Sequence, residues 1–399
     1  MAEHALLSSG GNGWRSLACA KSELRLDLTL ACGQSFRWRE TAPGHWTGVM
    51  GGRVWTLTQT DEALWYHVNR SSGGGAGQVR RRKRSAGVPL HTGGSSGKGF
   101  AGAVKKEEEE PVAVTEEDPD EEGQMLRDYF QLSVSLGDLY QQWGAADPHF
   151  QRIAGFFPGV RMLRQDPTEC LFSLICTTNN NIPRIHAMVD SLCQALGAPL
   201  VQLDGTSYHD FPSLSELADG GVEARLRDLG FGYRARYLQQ SAAQILANKE
   251  PRWLEGLRTT AYLLARDALR DLPGVGPKVA NCVCLMSLDK AEAVPVDTHV
   301  RQIAERDYGY TAGKARKTIT DRQQRELGDF FRKLWGPRAG WAQSVLFCAD
   351  LKRFQPLKEA DLKRPKKEEG DEKEVTVARE GTKTEEEGRG NAKKGKTSV

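Results

Sequence analysis

Cysteine is scarce and scattered, with eight in 399 residues. That is too few for a disulfide framework in a chain this long, and it predicts a reducing compartment. No window approaches the roughly 18 to 20 unbroken apolar residues needed to cross a bilayer, which excludes a helical membrane protein and predicts no membrane partner. The opening stretch, MAEHALLSSGGNGWRSLACAKSE, lacks a charged segment followed by an apolar one, so no secretory leader is expected. Charge of one sign is missing as well: 55 Lys+Arg face 52 Asp+Glu, a net charge of +3. So small an excess gives no whole-surface field, and any nucleic-acid site has to be a local patch.

What is present divides the chain, whose length allows two or three domains. Residues 71–123 run from a Gly/Ser stretch through the basic block Arg80–Arg84 to acidic runs such as EEEEP and EEDPDEE, and the tail 357–399 alternates Lys and Glu around KRPKK. Both bury too little apolar surface to offset the entropy of ordering them, so both are expected to be disordered. Either basic block also reads as a nuclear-import or DNA-tethering signal. Residues 1–14 are expected to be a flexible terminus.

Between these stretches the hydrophobic period changes. In 34–68 the runs QSFRWRE, HWTGVM, RVWTLTQ and LWYHVN alternate bulky apolar with polar residues, and Gly51-Gly52 sits between two of them as a hairpin turn. From Gln124 the period is helical. DPTECLFSLICTT opens with Asp166 as N-cap, Pro167 at the first helical position and Glu169 placed to close a capping box. IPRIHAMVDSLCQALG is amphipathic and stops at Gly197. Further helices are expected near 234–247, 259–270, 277–288, 298–306, 320–334 and 338–353. The fold class is α+β: an antiparallel-sheet N-terminal domain with helices (15–70 and 124–160), joined to a helical domain (161–356).

The segment 267–288, DALRDLPGVGPKVANCVCLMSL, is the most informative. One helix ends near Arg270, LPGVG turns the chain, and the next helix starts at Pro277. Gly274 and Gly276 let the backbone approach a surface closely and adopt positive φ. The helix start beyond them aims free N–H groups outward with a positive dipole, a phosphate cradle that reads no sequence. Lys278, in the first turn, is placed where the dipole disfavours its ammonium form, which predicts a lowered pKa and an amine nucleophile. Nineteen residues on, AVPVDTHVRQIAER is extended up to Asp297, which is placed as the N-cap of a helix and free to turn one oxygen elsewhere.

LPGVGPKVA followed by VPVDTH resembles the helix-hairpin-helix superfamily of base-excision DNA glycosylases. Within it, ELRLDLTLACGQSFRW (23–38), RQDPTECLFSLICTTNNNIPRI (164–185), LGFGYRARYL (229–238) and LWGPRAGWAQSVLF (334–347) resemble the eukaryotic 8-oxoguanine DNA glycosylase/lyases. The match spans about 15–70 and 124–356. The resemblance implies that Lys278 attacks C1′ of a flipped-out nucleotide, expels the base and forms a Schiff base that permits β-elimination. Asp297 would stabilise the cationic sugar. It implies that Phe347 and Cys282 wall the purine, with Gln343 at its Watson–Crick edge and Pro295 shaping the pocket. The Gly33 carbonyl would meet the N7–H that distinguishes 8-oxoguanine from guanine. It further assigns His299, Gly274 and Gly276 to the DNA backbone, Asn179, Arg184 and Arg234 to the opposite cytosine, and Tyr233 to the wedge. Asn180 and Asn181 read instead as helix-junction residues, and Pro183 beside Arg184 places the helix start there.

The expected partner is duplex DNA with 8-oxoguanine opposite cytosine, bound by a monomer, with downstream base-excision repair proteins acting after it. No cofactor is required. Only Cys348 follows Asp297, too few thiols for the iron–sulfur cluster that other branches build, and Cys282 and Cys284 have no neighbouring His for zinc. The resemblance implies a cation held by the hairpin carbonyls of Leu272 and Val275 against a DNA phosphate. Localisation is expected to be nuclear, with mitochondrial targeting open. Three other readings stand beside this one: the same fold with a different lesion preference, a catalytically silent hairpin DNA-binding module, and a chromatin or scaffold protein working through its charged insert.

Overall fold

The computed structural model describes residues 13–69, 120–311 and 319–362. Residues 70–119 and 363–399, with Arg80–Arg84 and KRPKK, lie outside them, as do 1–12. Alternating bulky side chains build the N-terminal sheet from β1 (Arg15–Ala18), β2 (Trp38–Ala42), β3 (His45–Met50), β4 (Arg53–Gln59) and β5 (Ala63–Asn69), antiparallel in the order β1-β5-β4-β3-β2. Trp46 pairs with Leu57, and Leu57 with Tyr66, so one face carries a continuous buried row. Gly51 and Gly52 both have positive φ (59° and 70°), the conformation a two-residue hairpin needs.

A short helix, α1 (Leu26–Thr29), lies between β1 and β2. After the insert come α2 (Glu121–Tyr129), α3 (Leu136–Ala146), α4 (Pro148–Phe156), α5 (Pro167–Ile175) and α6 (Ile182–Leu196). A hairpin of β6 (Pro199–Leu203) and β7 (Thr206–His209) interrupts the helices. Then follow α7 (Leu214–Ala218), α8 (Val222–Asp228), α9 (Arg234–Asn248), α10 (Trp253–Gly256), α11 (Tyr262–Arg270), α12 (Pro277–Ser287), α13 (Thr298–Tyr308), α14 (Asp321–Trp335), α15 (Ala339–Asp350) and α16 (Gln355–Leu362). One apolar core runs from Leu17 to Phe354, with α12 and α15 almost wholly inside it.

Several expectations need correction. Residues 120–123 belong to the fold rather than the insert: Asp120 caps α2 by accepting from the Gly123 N–H, and the Tyr66 hydroxyl donates to Asp120 at 2.7 Å. Residues 357–362 continue α16 rather than starting a disordered tail, and Lys358 lies over the Phe157 ring. Trp14 is not part of a free terminus, since its ring meets those of His45 and His67. Residues 34–37 are not strand, and β1, β6 and β7 were not expected. At α5, Asp166 accepts from the N–H groups of Thr168 and Glu169 as expected, but Glu169 does not close a capping box. Its carboxylate faces Arg37 Nε at 3.6 Å instead.

Candidate active site and nucleic-acid interface

The hairpin forms as its glycines and proline dictate. Gly274 takes φ +78°, and Gly276 caps α12 ahead of Pro277. Gly276 itself has φ −85°, so of the two glycines expected to need positive φ only Gly274 does. From Val279 to Ser287 every residue of α12 is buried, which leaves the first turn, with half-buried Lys278, at the surface. Cys282, one turn on, is 3% exposed and close enough to Lys278 to shift its pKa upward.

Asp297 caps α13 through a single oxygen: Oδ1 accepts from the N–H groups of His299 at 2.9 Å and Val300 at 3.0 Å. Oδ2 is left outside the cap. Asn281 ties the two helices' approaches together, accepting from the Tyr262 hydroxyl at 2.8 Å and donating to the Val294 carbonyl at 3.4 Å. Val294 lies in the buried run 293–296 that delivers Asp297.

The electrostatics run against the expected lowered lysine pKa. Burial, the largest influence on Lys278, pushes its pKa down, but Cys282 and Asp297 together outweigh it and the pKa is raised. Burial raises the Cys282 thiol in turn. Cys282 is the larger and Asp297 the smaller of the two partners that hold the lysine's proton. Two charged groups held in one half-buried site offset part of each other's desolvation.

α15 closes the other side. The Gly340 N–H donates to the Ala291 carbonyl at 3.0 Å, and a Cβ at Gly340 would lie 2.2 Å from the Ala293 carbonyl oxygen. Only glycine lets the start of α15 pack this closely on the loop leading to Asp297. Gln343, 5% exposed, and half-buried Phe347 follow on one face of the helix. His299 meets Phe347 edge to face, centroids 6.0 Å apart, and its Nδ1 lies 3.4 Å from Asp350, which also pairs with Arg306. Gly33 has φ +84°. Its neighbour Cys32 is close enough to Cys348, the residue after Phe347, for the two thiols to shift each other's pKa, Cys32 downward and Cys348 upward, so the Gly33 loop and the Phe347 wall are adjacent.

A second cluster gathers the residues assigned to the opposite base. Arg234 is buried, its guanidinium donating to the carbonyls of Thr178 and Asn179 and lying 4.7 Å from the Tyr233 ring centroid. Tyr233 is 44% exposed, and Arg184 is exposed. Asn179 has φ +49°. Asn181 caps α6 by accepting from the Arg184 N–H, and Asn180 donates to the Cys176 carbonyl, so both are junction residues as read from the sequence. Pro183 lies in the first turn of α6. The two clusters meet through α9: Ser241 donates to the Pro273 carbonyl at 2.8 Å, beside the hairpin turn.

Sequence reasoning did not single out Asp350, Gly340, Asn281, Tyr237 or Ile182. A cleft of about 650 Å³ lined by Arg127, Arg164, Arg338 and Trp341 contains none of the site residues expected from the sequence. Among the described residues no group of three or more His, Cys, Asp or Glu is arranged to hold a metal ion, and no helix is long and apolar enough to cross a membrane.

Comparison with known proteins identifies two family domains along the chain. Residues 16–171 match the 8-oxoguanine DNA glycosylase N-terminal domain, and 172–327 match the HhH-GPD superfamily of base excision DNA repair proteins. The chain is 34% identical over 347 residues to an Arabidopsis thaliana protein named N-glycosylase/DNA lyase OGG1, covering 86% of this chain and 82% of that one. It is 40% identical over 250 residues to a Saccharomyces cerevisiae N-glycosylase/DNA lyase, covering 57% and 66%. The apo structure of Clostridium acetobutylicum 8-oxoguanine glycosylase/lyase shares the fold, with a TM-score of 0.65 at 23% identity over 85% of this chain and 97% of that one. The two matched domains in order, and identity sustained along most of the chain, place this protein in the 8-oxoguanine DNA glycosylase family of the HhH-GPD base excision repair enzymes.

Proposed function

We propose that this chain excises 8-oxoguanine opposite cytosine in duplex DNA and cleaves the strand through a lysine Schiff base. The observation that carries the reading is the meeting of Lys278, Cys282 and Asp297 between the hairpin and α15. An amine nucleophile, a buried thiol and a carboxylate then act on one another at a single place. In the reaction Lys278 Nζ bonds to C1′ as the glycosidic bond breaks, and the base leaves with that electron pair. The C1′–O4′ bond then breaks as the C1′–N double bond forms, with one proton passing from the nitrogen to O4′, which becomes the C4′ hydroxyl; loss of a C2′ proton from the resulting protonated Schiff base then expels the 3′ phosphate. Asp297 stabilises the cationic sugar as the first bond breaks.

Phe347 and Cys282 wall the purine, Gln343 meets its Watson–Crick edge and Pro295 closes the pocket. The Gly33 carbonyl accepts from N7–H; mispairing a buried polar group there costs about 1–3 kcal/mol, which is what separates lesion from guanine. Gly274 and Gly276 present backbone N–H groups to a phosphate, with His299 at another. Arg184, Arg234 and Asn179 read the orphaned cytosine, and Tyr233 wedges the gap. Arg234 is held by the 178–179 carbonyls before DNA arrives, so it acts from a preset position.

The chemistry uses protein groups alone. Leu272 and Val275 supply hard main-chain oxygens for a hairpin cation. The Leu272 carbonyl already accepts the Val275 N–H at 3.1 Å, and its second lone pair remains for an ion. The proposal extends to a monomer acting in the nucleus ahead of downstream repair proteins.

Borohydride trapping on an 8-oxoguanine:cytosine duplex tests the core of the reading. Wild type should give a covalent adduct and Lys278→Gln none. Tight binding without an adduct would mark a monofunctional glycosylase or a silent binder, and an adduct in the variant would mean a different nucleophile.

A further inference from the structure

Residues 33–39 are fastened along α6 by contacts at positions 182, 186, 190 and 193, a spacing that keeps them on one stripe of the helix. Ile182 Cδ1 lies 3.2 Å from where a Cβ on Gly33 would stand. His186 meets Phe36 edge to face with centroids 5.3 Å apart. Asp190 is paired with Arg39, and Cys193 Sγ lies 2.6 Å from the Arg37 guanidinium. The segment that would read the lesion is thus held by one 15-residue helix.

The same helix begins inside the cluster that would read the opposite base. Asn181 caps it through the Arg184 N–H at 3.0 Å. The carbonyls just before the cap, at Thr178 and Asn179, are held by Arg234, and the Tyr233 hydroxyl also donates to Thr178 at 3.3 Å. Ile182 is the first helical residue after that cap, with Arg184 two positions beyond. One turn of helix therefore touches both readings.

We propose that α6 is a stiff link between opposite-base recognition and lesion recognition, with Ile182 as the positioning residue that transmits one to the other. The inference rests on the function proposed above. Gly33 has no side chain, and its left-handed backbone is set by what lies against it. Ile182 packs on one side, and next to it the Cys32 thiol donates to the Thr29 carbonyl at 3.5 Å, anchoring the loop. When Arg184 and its neighbours engage cytosine, the first turn of α6 takes one pose, and Ile182 seats the Gly33 carbonyl for the lesion. When they face adenine the turn sits differently, and the carbonyl is misaimed. Packed side chains pass such a shift on rather than absorbing it.

Single-turnover excision on 8-oxoguanine:cytosine and 8-oxoguanine:adenine duplexes tests this with wild type, Ile182→Ala, Ile182→Val, Arg184→Ala and the Ile182→Ala/Arg184→Ala pair. Ile182→Ala should cut the rate opposite cytosine more than the rate opposite adenine, shrinking the preference by about 2- to 30-fold. Ile182→Val keeps Cγ1 and should restore most of the preference. The double variant should lose no more preference than the worse single variant, because both act on one link. Equal loss on both duplexes, or additive losses in the double variant, would overturn the link while leaving the glycosylase reading intact. A wild type that is inactive on 8-oxoguanine:cytosine would overturn the glycosylase reading itself, and the link with it. Thermal melting of each variant separates a folding defect, which would scale both rates together.

Discussion

The Tyr237 ring lies against the α-carbon of Gly274, so close that a Cβ there would fall 2.7 Å from two of its ring carbons. Tyr237 also meets Tyr233 edge to face at 5.8 Å, which places the wedge and the hairpin turn on one face of α9. Gly274→Ala meets both this ring and a φ of +78°. Strain of that kind costs about 1–3 kcal/mol and is relieved if the turn shifts away from its phosphate-binding pose. The expected outcome is weaker binding of damaged and undamaged duplex by a similar factor, roughly 5- to 150-fold, since a phosphate contact carries no base information. Fluorescence anisotropy on both duplexes checks it, and a loss confined to damaged DNA would contradict it.

The raised pKa of Lys278 has a kinetic consequence. The amine must be neutral to attack, so trapping of a preformed abasic site should accelerate as pH rises toward the alkaline range. Asp297→Asn removes one of the two groups, after Cys282, that hold the lysine's proton and should move the midpoint of that profile to lower pH. Excision of the intact lesion should fall in the same variant, because the sugar loses its counter-charge. A midpoint that stays put or moves up would show that Asp297 does not govern the amine.

The hairpin, its proline, the Asp297 cap and the long amphipathic helices were legible because each is written locally, in spacing and capping residues. The lysine's pKa direction was not, since the helix dipole is visible in sequence while the balance of burial against Cys282 and the Asp297 carboxylate is set only in the fold. Gly340 reads as an unremarkable glycine between Ala339 and Trp341 until the Ala293 carbonyl is seen against it. The β6–β7 hairpin did carry a signal, Asp204-Gly205, both residues of which take positive φ, but its strands are short and only half buried. Ile182 looked like one more apolar position on an amphipathic helix, and its meeting with Gly33 is purely tertiary.

Gly340→Ala should damage the site from behind. The added methyl would stand 2.2 Å from the Ala293 oxygen and 2.5 Å from Leu285 Cδ1, so the loop or α15 must move. Overpacking of this sort costs about 1–3 kcal/mol, and here the displaced groups carry Asp297, Gln343 and Phe347. A lowered Tm with a fall in kcat larger than the change in duplex affinity is expected. Calorimetry and single-turnover rates decide it, and unchanged kcat in a destabilised protein would mean the displacement is absorbed elsewhere.

Glu169 provides a test of stability against pH. Burial is the main cause of its rise from 4.5 to about 7, with Arg37 pulling the other way and Asp166 and Asp210 adding to the rise. Because the folded state binds this proton more tightly than the unfolded chain, the contribution to stability is full below about pH 4.5 and is lost as pH climbs to about 7. The shift corresponds to at most about 3 kcal/mol. Glu169→Gln keeps the shape and removes the titration, so the fall in stability between pH 5 and 7 should flatten in the variant. Denaturant midpoints at closely spaced pH values measure it. If wild type and variant lose stability in parallel across that interval, Glu169 titrates at its ordinary value and the Arg37 pair outweighs burial.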